Sequence, residues 1–513
     1  MTEDNVFWTL FALAGALILY IYLDIRKRYN YWKRKSVAYL EPTLFVGNLL
    51  PVFRQQCSIG DIYNKAYEAF PKEKVVGIYE IMNPVLIVRD PKLLERILVK
   101  DFNHFVDHGN MLSDGLFANG LFQLKGTTWR SLRYKMSPAF TSGKLKTVFN
   151  GMMECTNDMI NLMNENLYKD FEVQNALITF TIDVIASTVF GIQINDIIAR
   201  EEFAKQGTSI FNLNFYRYVQ MLFLTQFPRI AKILGFKSLK QETEDYFRSV
   251  IKRTFEQRLQ SNNQRNDYLN HLIKLKEKRV IEVQTRDEDD AFLELDKIQP
   301  PPENVEITDD IIASQAFQFL TAGFDPLFNA IMLVMYEMSL NPKAQELARQ
   351  EVKEALRNNS GYSYKALKEM TYLEQCVQES LRLHPLVPFL MRTCTKKYVT
   401  DFGLEIEKGQ KLIIPLNALH KDAEHFTDPE AFIPERQPPG TLKSNFTYLP
   451  FGDGPRMCIG LRFAIVEVKL ALARILENFK FTLSPKTKVP LELCIRAFIF
   501  MPKHKLLFNL SPA

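Results

Sequence analysis

Residues 451–460 read FGDGPRMCIG and place one cysteine in a turn bounded by Gly452, Gly454 and Gly460, directly ahead of the apolar run IGLRFAIVEVKLALARIL. Glycines permit a tight turn and close backbone approach. A helix N-terminus behind the turn favours negative charge. Both features lower a thiol's pKa, so the pattern suits Cys458 as a thiolate. Phe451 would shield one flank of the sulfur, and Arg456 would aim a cation at a neighbouring anion. An isolated cysteine is more often a small core residue, but the glycines, Pro455, Arg456 and Phe451 at these spacings argue against that role.

The stretch matches FxxGxRxCxG, and the chain resembles the cytochrome P-450 superfamily, microsomal type, close to insect and other animal xenobiotic-metabolising members. The resemblance runs from about residue 30 to the end. It implies a mainly α fold with small β-sheets and a haem b (iron protoporphyrin IX) whose axial ligand is the Cys458 thiolate, held in a loop that includes Phe451 and Gly460. ESLRL, with Glu379 and Arg382 on one helix face at i, i+3, resembles the family's ExxR pair, and FIPER supplies Arg436 as the implied third member. Buried charges must be paired, so these three form an expected network that locks the haem loop. Trp129 and Arg133 in TWRSLR, Arg392 in MRTC, and Arg456 are the implied donors to the two propionates, since arginine's planar fork suits carboxylates.

Residues 319–330, FLTAGFDPLFNA, resemble the family's distal-helix pattern at Ala322, Gly323 and Asp325. Pro326, Leu327 and Phe328 then stand where hydroxyl residues belong. Proline lacks an N–H and its ring strains the helix, so Pro326 is expected to kink it and free the carbonyl of Ala322. Gly323 is expected to leave room beside that carbonyl for oxygen or water. By the resemblance, Asp325 points toward a solvent-connected channel. Nothing at 326–328 offers an exchangeable proton; ordered water could replace the hydroxyl.

The elements that must position these groups follow from the rest of the chain. Its 513 residues are 47% hydrophobic and 24% charged, which supports a deep core, and the formal net charge of +5 is too diffuse to suggest nucleic acid. Six cysteines without a CxxC pair suit a reducing compartment. Val6–Leu23 carries no charge, follows Glu3 and Asp4, and precedes Arg26-Lys27-Arg28. That order marks a retained membrane anchor with its N-terminus in the lumen. The expected division is an anchor over 1–25, a basic linker over 26–48 and a catalytic domain over 49–513. Two strands joined through Asn83-Pro84 are expected within 74–89, helices over about 129–281, an exposed acidic loop over 282–306, one long helix from Thr308 to Leu340, strands within 397–416, and a last helix over about 459–479.

Phe105, Phe117, Phe122, Phe317, Phe324, the 387–390 loop and the 495–500 turn are expected to line an apolar pocket. The tract 222–236 reads equally as a membrane-dipping segment or a core helix. Lys125, Arg130, Arg462 and Lys469 are expected on a docking face for a redox partner. The resemblance implies a monooxygenase on the cytosolic side of the endoplasmic reticulum membrane. It would take electrons from NADPH through a cytochrome reductase, with cytochrome b5 as a second donor, and oxidise lipophilic small molecules. Pro326 leaves two alternatives, a peroxide isomerase or dehydratase and a haem-binding protein of little turnover.

Overall fold

The computed structural model describes residues 3–109, 114–191, 194, 196–261, 267–277, 305–438 and 445–513. The expected loop over 282–306 falls almost wholly outside them. Helix α1 (Glu3–Tyr29) contains a stretch, Phe7–Tyr29, long and apolar enough to cross a membrane. Its apolar side chains are turned outward, with Phe11 66% exposed. Immediately after it Trp32 is buried, donates through Nε1 to the Ile78 carbonyl at 3.0 Å, and lies where a Cβ on Gly77 would collide with its ring. The segment after α1 is therefore docked on a sheet.

That sheet runs β1 (Val75–Glu80), β2 (Asn83–Val88), then β4 (Lys411–Pro415) and β3 (Phe389–Thr393) at its far edge. The β1–β2 turn is at Ile81 and Met82, with Ile81 at φ 58, and Glu80 pairs with Asn83. Asn83-Pro84 thus opens β2 instead of forming the turn. Pro84 is tolerated at the start of a strand because its missing N–H is not needed there. Strand β3 covers residues expected to be a pocket loop, and it pairs antiparallel with β4 from Phe389 opposite Pro415 to Thr393 opposite Lys411.

The larger core is helical. Around it stand α2 (Gly126–Met136), α3 (Ser142–Asn164), α4 (Gln174–Ile185), α5 (Asp309–Leu340), α6 (Thr371–Leu383) and α7 (Leu461–Asn478). Thr308 caps α5 by accepting the N–H of Ile311 at 3.3 Å, with Asp309 and Asp310 in the first turn. Its 32 residues make about 48 Å, enough to cross the molecule. Pro326 lies inside it without ending it. The expected break is thus limited to one missing N–H, at a cost of roughly 3 kcal/mol that the buried flanks on both sides of Pro326 offset.

Candidate functional site

The 451–460 loop is shaped by two left-handed glycines. Gly452 has φ +71 and Gly454 φ +69, and a Cβ on Gly454 would collide with the carbonyl oxygen of Leu98. Only glycine lets the loop lie against that backbone. The N–H of Cys458 donates to the Phe451 carbonyl at 3.0 Å, and α7 starts three residues later with Gly460 as its cap. Cys458 is exposed to an internal cavity.

That cavity has a volume of about 860 Å³. Cys458, Phe451, Gly460 and Arg456 line it from the loop, with Trp129 and Arg133 from α2 and Arg392 from β3. Ala322, Gly323 and Pro326 line it from α5. The structure therefore brings together ten of the residues singled out from sequence, drawn from four separate stretches of chain.

Burial dominates the electrostatics. Arg133, Arg392 and Arg456 are respectively 5%, 2% and 8% exposed. Burial depresses the first two to about 10, and holds Arg456 well below its usual value with help from the other two charges. Among the described residues, Nε of Arg133 and Nε of Arg392 are buried without partners. The nearest carboxylate to Arg456 is Asp107, 3.9 Å away. Three buried guanidiniums beside so little negative charge are costly unless an anion joins them. The donor set thus fits a ligand with two carboxylates and a soft metal above a thiol, which is the description of haem.

Arg456 does more than expected. Its Nε donates to the Val106 carbonyl at 2.9 Å, Nη1 to Leu121 at 3.2 Å and Nη2 to Leu124 at 2.6 Å, and its guanidinium lies 4.0 Å over the Trp129 ring. It ties the carbonyls of Val106, Leu121 and Leu124 together, so Arg133 and Arg392 keep the freer nitrogens. The Cys458 thiol is also corrected. Burial raises its pKa above the ordinary value and outweighs the lowering by the Gly460 amide and Arg133. Only a coordinated metal would deprotonate it outright.

Glu379, Arg382 and Arg436 stand apart from the cavity. Arg382 Nε and Nη2 reach the two Glu379 oxygens at 3.0 and 2.8 Å, and Arg436 Nε reaches Oε1 at 2.9 Å. The network connects to the loop through a residue the motif does not include. Arg382 Nη1 donates to the His420 carbonyl at 2.9 Å, and the Leu449 N–H donates to His420 Nε2 at 2.8 Å. Leu449 O then accepts the Gly452 N–H at 3.0 Å. His420 can accept because burial and Arg382 hold it neutral, down to about 3.

Other expectations change. Gly323 lines the cavity and also lets helices pack closely, because a Cβ there would collide with Cδ1 of Ile185 on α4. Asp325 does not face solvent. It is fully buried, neither oxygen has a partner among the described residues, and burial alone pushes it from 3.8 up to about 8. An acid whose pKa is raised by folding binds its proton more tightly when folded, so stability is lost as pH rises from about 4 to 8, at about 1.4 kcal/mol per unit. Asp325→Asn is expected to match the native protein near pH 4 and to have the higher thermal midpoint at pH 8. A pH-independent difference in midpoints would contradict that.

Phe117, Phe122 and residues 387–390 line the cavity, as do Phe498 and Ile499. Phe105 packs instead on Tyr398 at 5.1 Å, Phe317 on Phe117 at 5.2 Å, and Phe324 on Phe328 at 5.6 Å. Phe317 and Phe324 lie on the side of α5 turned away from Ala322 and Pro326, a phase that one helical turn decides. Lys469 is buried and paired with Glu374 at 2.9 Å, which removes it from any docking surface. The 222–236 tract forms two helices that meet at Phe227, Phe215–Gln226 and Pro228–Ile233, with Ile230, Ile233 and Leu234 exposed.

Comparison with known proteins follows from this geometry. The family model described as Cytochrome P450 matches residues 38–508. The chain is 34% identical to a probable cytochrome P450 6a13 of Drosophila melanogaster, over 96% of each chain. It is 34% identical to cytochrome P450 6k1 of Blattella germanica, over 95% of this chain and 94% of the relative. It is 35% identical to cytochrome P450 6d3 of Musca domestica, over 91% and 92%.

Proposed function

This chain belongs to the cytochrome P450 family of haem-thiolate monooxygenases, and on that premise we propose that it inserts one oxygen atom into lipophilic small molecules, xenobiotics, hormones or lipids. The observation that carries the reading is the meeting of Cys458 with Arg133, Arg392 and Arg456 around one largely apolar cavity. Cys458 would ligate the iron of haem b. Arg133 and Arg392 would hold its carboxylates, with Arg456 and Trp129 beside them. Bound haem supplies reductive activation of O₂. The Glu379, Arg382 and Arg436 network holds the ligand loop in place through His420. The cavity's aromatic and aliphatic walls exclude water and bind substrate by its apolar surface.

On α5, the Ala322 carbonyl faces a residue, Pro326, that has no N–H to donate to it. It is an acceptor for water at the cavity wall. Thr321 and Thr188 also line the cavity, their hydroxyls donating to the helix carbonyls of Gln318 at 3.0 Å and Val184 at 2.6 Å. Residues 1–25 anchor the protein in the endoplasmic reticulum membrane, 26–48 link it, and 49–513 form the catalytic domain on the cytosolic side. The exposed apolar residues within 222–236 rest on the same membrane. Electrons come from NADPH through a cytochrome reductase, with cytochrome b5 as a second donor, and Lys125, Arg130 and Arg462 contribute to the docking face.

A second reading, conversion of organic peroxides, is favoured by one observation. Pro326 supplies no hydroxyl and Asp325 does not reach the cavity. Reconstitution separates the two. Product that needs both NADPH and reductase supports the monooxygenase, and rapid turnover of an organic peroxide alone would replace it. In the same assay, Pro326→Thr is expected to raise product formed per NADPH and to reduce peroxide release. Unchanged coupling would mean that water or substrate already delivers the proton.

A further inference from the structure

A second, smaller cavity lies outside the large one. Its volume is about 160 Å³, room for roughly five water molecules at liquid density. Arg217, Lys240, Asn212, Ser209, Thr243 and Ser238 line most of it. Its walls are cross-linked. Arg217 donates from Nη1 to the Lys237 carbonyl at 3.1 Å and from Nη2 to the Ser238 carbonyl at 2.6 Å, and Asp114 accepts the Ser238 N–H at 2.9 Å. The Ser209 and Thr243 hydroxyls lie 3.4 Å apart and join the helix Ile197–Phe211 to the helix Gln241–Ser261. These bonds fix the shape without using the Lys240 ammonium or the Asn212 carboxamide. Among the described residues, neither group has a hydrogen-bond or ion-pair partner.

The charge around this cavity is one-sided. Between Glu202 and Glu242 the sequence holds six basic residues and no acidic one. The same tract turns apolar side chains outward. Phe215, Tyr216 and Val219 are exposed on the helix that begins at the cavity, and Ile230, Ile233 and Leu234 are exposed just beyond it. A soluble anion would be held by the cations and would leave the apolar rim unused. A neutral lipid would do the reverse. Cations in a fixed cavity beside exposed apolar side chains match a molecule with an anionic head and a hydrocarbon tail.

We propose that the cavity binds the phosphate of an anionic phospholipid, with Lys240 and Arg217 supplying the charge, Asn212 an amide donor, and the apolar rim the surface for its acyl chains. The proposal rests on reading the exposed residues within 222–236 as lying on the membrane. It adds a fixed headgroup site to that contact.

The test uses the full-length, haem-loaded protein in phosphatidylcholine bilayer discs. Tyr216→Trp places a fluorescent reporter on the rim, and Trp8→Phe removes the tryptophan of the anchor; Trp32 and Trp129 are each 1% exposed and stay out of reach. Quenching is compared between discs containing a small share of acyl-brominated phosphatidate and discs containing the same share of acyl-brominated phosphatidylcholine. Phosphatidate is expected to quench more strongly, and this preference is expected to fall about fivefold in Lys240→Gln. Lys232→Gln, equally basic but outside the cavity, should keep most of it, and both variants should keep the native ferrous–CO spectrum. Equal quenching by the two lipids overturns the headgroup site while the membrane contact stands. Equal loss in the two lysine variants also overturns it, because diffuse surface charge would then explain the preference. Absence of quenching by either lipid removes the membrane contact, and the proposal with it. Inorganic phosphate should leave the preference as chloride of equal ionic strength does; its abolition by phosphate alone would assign the cavity to the free anion.

Discussion

Cys458→Ala is expected to abolish the ferrous–CO absorption band that marks thiolate ligation, and with it all NADPH-dependent oxidation. Among the described residues, no other cysteine lines the cavity; Cys376 and Cys394 are buried elsewhere. No second thiolate can therefore take over. The sulfur's environment consists of the Gly460 amide, Arg133 and the cavity itself, and loss of a small side chain there removes little packing. Circular dichroism should show the native helix content. Serine at 458 should behave as alanine does, because an alcohol is a far weaker donor to iron than a thiolate. A thiolate-type band surviving in either variant would sink the haem-ligand assignment.

Glu379→Ala carries the largest expected cost to folding. The Glu379 carboxylate accepts five hydrogen bonds: two from Arg382, one from Arg436, one from the Ile433 N–H at 3.1 Å, and one from Gln437 Nε2 at 3.1 Å. The Glu379 and Arg382 side chains are both 0% exposed. Removing the carboxylate strands two guanidiniums, one of them fully buried, and breaking a buried pair in this way costs about 3–5 kcal/mol. The expected outcome is a lowered thermal midpoint with poor haem retention, because Arg382 also holds His420 and through it Leu449. Arg436→Lys should be milder, since that side chain is 14% exposed and an ammonium can still reach the carboxylate. An unchanged midpoint for Glu379→Ala would show that the network does not support the loop.

What was legible in the sequence is local. The turn around Cys458 is announced by glycines within ten consecutive residues, although the Leu98 carbonyl that excludes a side chain at Gly454 is brought in by the fold, and Glu379 with Arg382 share a helix face by spacing alone. The ends of α5 were equally readable, because Thr308 with its following acids and Asn341-Pro342 act over one turn. The β1–β2 turn was misplaced because Pro84 reads as a turn former, whereas Ile81 takes the left-handed conformation against its own preference. Strand β3 was read as loop because an edge strand beginning after Pro388 has little pattern of its own; its pairing with β4 decides it.

The sequence by itself determined the chemistry available: one thiol in a rigid turn, arginines for an anion, an apolar anchor, and a distal helix without its hydroxyl. Tertiary structure decided where each group ended up. It turned Asp325 away from the cavity, packed Ile185 against Gly323, buried Lys469 against Glu374, and joined Gln318 to Phe122 across 196 residues of chain. The physical reason is range. Turn geometry and helix spacing act over a few residues, while burial, and with it every pKa and every open hydrogen-bonding atom, depends on contacts between segments that only the packed core brings together.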